Sequence, residues 1–323
     1  MNDLTAKFIT PIEEIIDELL HGETPLNTRF LHRLSDLVDE EFLLIKKAWP
    51  NILAWRRQAL LEDLEALYAK DTLLSFEGVC RIALEDSNPQ VRFLALRSFL
   101  EYEVADLIPN FIQTMIEDKD EEIRALAAQN LGKYVYLGEV ESLAKEKQEN
   151  IEAHLLKVAH GSDSSLVRRK AIESLGYSSH KDVPDLISEA YNSNRNDWIA
   201  SALFAMGRTI DPRWEPEIIK MLRNPVKEIR FEAIKAAGEL EISSSRKILM
   251  EYLEDPDSEI RIAAIWALAR IGGEGIRTIL LDILQETEFE EEALIIEEAL
   301  DHLIFNQSLG SIDNLEFFEV DEF

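Results

Sequence analysis

This chain of 323 residues has a single cysteine, Cys80, so it forms no internal disulfide. Cys80 lies in the apolar run Val79-Cys80-Arg81-Ile82-Ala83-Leu84 with no basic cluster or histidine beside it, which predicts a buried, inert thiol. No apolar run approaches the ~20 residues that a membrane-crossing helix needs. Met1 to Leu20 lacks the basic-then-apolar order of a secretion signal, so a cytoplasmic protein is the expectation.

Positive charge is also scarce. The chain has 34 Lys and Arg against 63 Asp and Glu, a formal net charge of −29, and no Lys or Arg follows Arg277. A field of this sign repels phosphates, which argues against nucleic acid and anionic membranes and in favour of basic protein partners. The six histidines (His21, His32, His154, His160, His180 and His302) form no i, i+4 pair, and none is followed by Glu. A two-histidine metal site therefore lacks its simplest geometry. Asp118-Lys119-Asp120-Glu121-Glu122 lacks the glycine turn and twelfth-position Glu of a calcium loop. Gly272-Gly273-Glu274-Gly275 lacks the Lys-Ser/Thr of a phosphate loop and reads as a turn. The expectation is a chain with no catalytic, cofactor or metal site.

What the sequence does have is a repeat. Ala95, Ala127, Ala171, Ala202, Ala233 and Ala264 recur at steps of 32, 44, 31, 31 and 31 residues. Four residues before each stands a large apolar residue (Val91, Ile123, Val167, Trp198, Ile229, Ile260). An arginine follows it in five cases, Arg92, Arg124, Arg168, Arg230 and Arg261, with Ile199 as the exception. At ~100° per residue, positions 0, +4 and +8 of these segments share one helix face, an apolar/small/apolar stripe. Gly132, Gly176, Gly207 and Gly238 follow the stripe, where a helix can end in a left-handed turn. An amphipathic helix precedes each segment, and turns such as Asp86-Ser87-Asn88-Pro89 and Asp255-Pro256-Asp257-Ser258 supply caps. The period predicts an all-α, right-handed α-solenoid (superhelix) of helix–turn–helix units.

The motif Asp-x-x-x-x-Ile-Arg-x-x-Ala-x-x-x-Leu-Gly, seen from Asp118 to Gly132 and up to its Leu from Asp255 to Leu268, resembles the HEAT repeats, and among them the short bacterial repeats named after phycobilin lyases. The resemblance covers about 75–305. It implies a non-catalytic interaction scaffold or adaptor. The alternative it implies is an accessory or lyase-type protein handling a bilin, tetrapyrrole or other small molecule.

Three regions are expected: a helical stretch over 1–70 ending in a degenerate capping repeat, a HEAT-like array over 71–305, and an acidic, aromatic tail over 306–323. In the first, Trp55-Arg56-Arg57-Gln58-Ala59 echoes the motif. The 44-residue step places an insertion near 133–150, either a longer helix or a surface loop. The recurrent arginines are expected to pair with carboxylates of neighbouring turns, giving a structural ladder. On the face away from the core, Phe204, Lys235 and Trp266 at +6, with Phe231 and Ile262 at +2, form a candidate partner-binding strip. Phe317, Phe318 and Phe323 of the tail are a second candidate contact.

Overall fold

The computed structural model describes residues 10–22, 26–287 and 289–313, with no strand among them. The chain divides into two compact units, 1–138 with 143–171, and 139–142 with 172–323. Each is built from helices packed pairwise around apolar stripes, an all-α solenoid of helix–turn–helix repeats.

Unit 1 holds α1 (Ile12–His21), α2 (Thr28–Arg33), α3 (Asp39–Ala48), α4 (Ala54–Tyr68), α5 (Glu77–Ala83), α6 (Pro89–Ser98), α7 (Ile108–Glu117), most of α8 (Glu121–Glu139) and α9 (Lys145–His160). Helix α10 (Ser165–Leu175) crosses the boundary in sequence. Unit 2 continues with α11 (Val183–Tyr191), α12 (Asn196–Arg208), α13 (Glu215–Met221), α14 (Lys227–Glu239), α15 (Arg246–Glu251), α16 (Ser258–Ile271), α17 (Ile276–Glu286) and α18 (Glu290–Asp313).

The repeat stripe forms the core in both units. Val91, Ala95 and Phe99 are buried in α6, and Ile260, Ala264 and Leu268 in α16. The starts of the second helices follow from local polar chemistry. Asp86, Asp118, Asn224 and Asp255 each accept, through Oδ1, the backbone N–H two residues on, at 2.8, 3.0, 2.9 and 2.9 Å. Asn88, Asp120 and Asp257 then accept the amides two residues beyond themselves, at 2.9, 2.9 and 3.0 Å. These side-chain acceptors satisfy donors that the first helical turn leaves unpaired.

Three expectations change, and the open choice for 133–150 is decided for lengthened helices. The glycines are not left-handed caps: Gly132, Gly207 and Gly238 lie inside α8, α12 and α14, and positive φ is confined among the glycines to Gly272, Gly273 and Gly275. The role of Gly176, Gly207 and Gly238 is close approach. A Cβ on Gly176 would stand 2.9 Å from the Ala205 carbonyl oxygen, one on Gly207 2.9 Å from Ala236 Cα, and one on Gly238 2.7 Å from Ala267 Cα.

The 133–150 stretch is not a long surface loop. Its residues lengthen both α8 and α9, leaving a short connection between Glu139 and Lys145. The echo at Trp55 is shifted by one. Trp55 is 46% exposed, whereas Arg56, Leu60 and Leu64 occupy the buried 0, +4 and +8 positions of α4. Arg56 fits an apolar slot because its Nη2 donates to the Glu18 carbonyl at 2.7 Å and its Nη1 donates to that of Gly22. Finally, α18 continues to Asp313, past the boundary expected at 305.

Candidate interaction surface

The arginine that follows the apolar position has a fixed local task. Arg92, Arg124, Arg230 and Arg261 donate through Nη1 to the carbonyl six residues earlier, on Asp86, Asp118, Asn224 and Asp255, at 2.9, 2.8, 2.9 and 2.9 Å. The remaining guanidinium edge turns to the next repeat. Arg92 meets Asp118 through two bonds of 2.8 and 2.9 Å, Arg124 meets Asp163 at 3.0 and 2.7 Å, and Arg261 meets Glu292 at 2.9 Å twice. One carboxylate oxygen of Asp118 thus closes its own turn while the group accepts the preceding arginine, a charge-assisted bidentate arrangement. The Arg124 guanidinium holds the Asp163 carboxyl below its ordinary range, and Arg261 does the same for Glu292.

Arg57, which the motif echo had placed one position out of register, adds a pair to this series. Its Nη1 lies 3.1 Å from Asp86, whose buried carboxylate also accepts Trp49 Nε1 at 2.7 Å. Arg168 donates Nε to the Ala159 carbonyl at 3.0 Å. Arg230 has no carboxylate partner among the described residues and bonds the Asn224 and Pro225 carbonyls instead. Ile199, in the arginine place of α12, carries no charge to extend the series.

The candidate strip lies in unit 2. Phe204 of α12, Phe231 and Lys235 of α14, and Ile262 and Trp266 of α16 are all half-buried on the helix face away from the core. Gly238 and Ala267 meet backbone to backbone and leave no side chain to fill the space above them. The result is a groove of about 290 Å³ lined by Gly238, Ala263 and Ala267, by Ile262 and the rings of Phe231 and Trp266, and by the charged Lys235, Glu239 and Arg270.

Cations and rings alternate along this strip. The Arg208 guanidinium lies between Tyr177 (4.6 Å to the ring centroid) and Phe204 (4.0 Å). The Lys235 ammonium sits 5.3 Å from both Phe204 and Phe231. Trp266 meets His302 of α18 edge-on at 6.4 Å. Arg208 makes no hydrogen bond or ion pair among the described residues, and burial pulls its pKa below the ordinary arginine value. The neighbouring carboxylates are Glu239, 3.3 Å from Arg270, Glu232, 3.6 Å from Lys235, and the buried Glu173, which accepts Ser201 Oγ at 2.6 Å. Sequence periodicity placed the five strip residues on one face but missed Tyr177, Arg208 and Arg270. The signal for Arg208 and Arg270 was their shared place, ten residues after Trp198 and Ile260. Phe317, Phe318 and Phe323 lie outside the described residues.

A second hollow, in unit 1, has a volume of about 380 Å³ and is lined by Tyr68, Phe76, Cys80 and Tyr102. Its polar rim is engaged internally: Arg97 pairs with Glu65, and the Tyr102 hydroxyl accepts the Phe76 amide at 3.1 Å. Burial pushes the Cys80 thiol up to about 12, so it carries no thiolate at neutral pH. Among the described residues, no group of three or more His, Cys, Asp or Glu is placed to hold a metal ion, and no helix is long and apolar enough to cross a membrane.

Comparison with known proteins agrees with this architecture. The HEAT repeats family matches residues 215–301, from the start of α13 into α18. Residues 215–301 therefore carry HEAT repeats, within a chain whose described residues are an all-α helical-repeat solenoid. The match is to HEAT repeats in general and does not single out the phycobilin-lyase type. Among solved structures, yeast importin-beta (Kap95p) is similar at 10% identity, covering 91% of this chain and 46% of that one, with a TM-score of 0.50. E. coli YibA is similar at 17% identity over 88% of this chain and 99% of that one (TM-score 0.42). A designed armadillo repeat protein in complex with the peptide (KR)4 is similar at 17% identity over 61% and 99% (TM-score 0.38). None of the curated proteins matches the sequence.

Proposed function

We propose that this protein is a non-catalytic scaffold that holds a segment of a protein partner along the strip of α12, α14 and α16. The observation that carries the reading is the groove over the Gly238–Ala267 contact, where half-buried rings and long cationic side chains stand around a floor with no side chains to fill it. Apolar anchors seated in such a groove exclude water from a small area and supply most of the binding energy of a typical interface. The net charge of −29 favours partners with basic flanks, because the field raises the encounter rate without entering the groove. Exposed sites that bind rather than transform are the usual use of helical-repeat surfaces.

The test is partner capture with the full chain and with a Phe204→Ala/Trp266→Ala variant, at low and high salt. Loss of the partner with unchanged helicity is the expected result. Equal capture by both chains would place the binding surface elsewhere, and a loss of helicity would mean that these rings are core.

A further inference from the structure

The strip also suits a segment of this same chain. Residues 314–323 read Asn-Leu-Glu-Phe-Phe-Glu-Val-Asp-Glu-Phe, with three aromatic rings among four carboxylates and no positive charge. The strip presents Arg208, Lys235 and Arg270, one cation per repeat, beside Phe204, Phe231 and Trp266, with Lys235 and Arg270 each next to a carboxylate, Glu232 and Glu239. Repeats packed helix to helix place Arg208 and Arg270, which share the same place two repeats apart, ~20 Å from each other. Glu316 and Glu322 are six residues apart, which at ~3.3 Å per extended residue is the same interval and an even number, on one face of an extended segment.

The attachment point allows it. Helix α18 runs parallel to α16, since Arg261 pairs with Glu292, Trp266 meets His302, and Gly272 faces Leu303. From His302, beside Trp266, α18 continues ~16 Å to Asp313 at 1.5 Å per residue. The following ten residues span up to ~33 Å extended, twice the distance back to Trp266. Tethering also removes the electrostatic objection. A free acidic peptide must approach a molecule of net charge −29, whereas a linked one is held at an effective concentration on the millimolar scale.

We infer that residues 314–323 dock in the groove between α14 and α16 of their own chain, with Phe317 or Phe318 against Trp266 and the carboxylates at Lys235, Arg270 and Arg208. The tail then competes for the surface that a partner needs, so the inference rests on the reading under Proposed function and adds its regulation. Glu232 and Glu239, which pair with Lys235 and Arg270, give way in part to the tail carboxylates.

The experiment uses the full chain labelled with 5-fluorotryptophan, whose five ¹⁹F resonances report Trp49, Trp55, Trp198, Trp214 and Trp266. Trp266→Phe identifies the Trp266 signal. Phe317→Ala/Phe318→Ala is expected to move that signal by more than its linewidth and leave the other four in place. Lys235→Glu should move it the same way, independently of protein concentration. An unmoved Trp266 signal overturns the tail as occupant, and partner capture by the Phe204/Trp266 pair would still stand or fall alone. A shift that grows with protein concentration overturns docking within one chain and assigns the groove to a second copy. Changes in the other four signals would mean a disturbed fold, in which case Phe318→Leu, which keeps the bulk and removes the ring, provides the deciding comparison.

Discussion

The two units solve the same problem, holding successive second helices side by side, with different chemistry. In unit 1 the helices are tied by charge: Arg57 to Asp86, Arg92 to Asp118, Arg124 to Asp163. Aromatic contacts accompany these ties, with Phe111 between Phe99 and Tyr134 at 5.8 and 6.3 Å between centroids. In unit 2 Ile199 and Arg230 lack such a pair, Arg261–Glu292, Lys227–Asp257 and Arg270–Glu239 remain, and close Gly–Ala contacts join α12 to α14 and α14 to α16. In unit 2 the backbone contact of Gly238 with Ala267 lies at the groove between α14 and α16.

The comparison is broken hardest at Arg57. Its removal leaves the buried Asp86 carboxylate without a counter-charge, so Arg57→Ala should destabilise by about 3–5 kcal/mol, measured by urea unfolding. A loss under 1 kcal/mol would show that Trp49 and the Asn88 amide satisfy Asp86 without it. Next comes the other device. Gly238→Val drives a side chain into Ala267 and should cost about 3 kcal/mol while closing the groove. Partner capture lost together with stability is the expected pair of results; full stability would disprove the close contact.

The ladder itself predicts a contrast between equivalent residues. Arg92→Ala should cost about 2 kcal/mol, because it removes two charge-assisted bonds, whereas Arg230→Ala forfeits only backbone bonds and should cost about 1. The same contrast appears with pH. Asp163 and Glu292 have depressed folded pKa values, so their contribution is complete above the ordinary carboxylate range and is lost as pH falls through the depressed values. Acid should therefore loosen unit 1, with its serial pairs, before α12–α14 of unit 2, as read by hydrogen exchange between pH 5 and 2. The smallest effect is local. Ile210 adopts φ 53° while 82% exposed, a strained state for a β-branched residue, and Ile210→Asn should stabilise by about 1 kcal/mol in a thermal melt.

Much of the fold was legible because its signals are short. The stripe at 0, +4 and +8 and the turn residues act within one helix pair, so periodicity located the second helices and most of the first. The cases that failed involve partners in other helices. Gly207 and Gly238 look like helix ends until Ala236 and Ala267 are seen against them. Arg56 and Arg57 are adjacent and alike, and only the position of Asp86 tells which one bridges repeats. The strip residues shared a face in the sequence, but Arg208 joined them only when Tyr177 and Phe204 were found on either side of it.

By itself, then, the sequence determined the repeat, its all-helical units, the buried stripe and the excess of negative charge, because each is a property of composition or of neighbours a turn apart. Tertiary structure alone decided which arginines meet carboxylates, that the glycines serve contact rather than termination, and that a groove opens between α14 and α16. These depend on the offset between helices some thirty residues apart, and that offset is set by how whole side-chain surfaces pack.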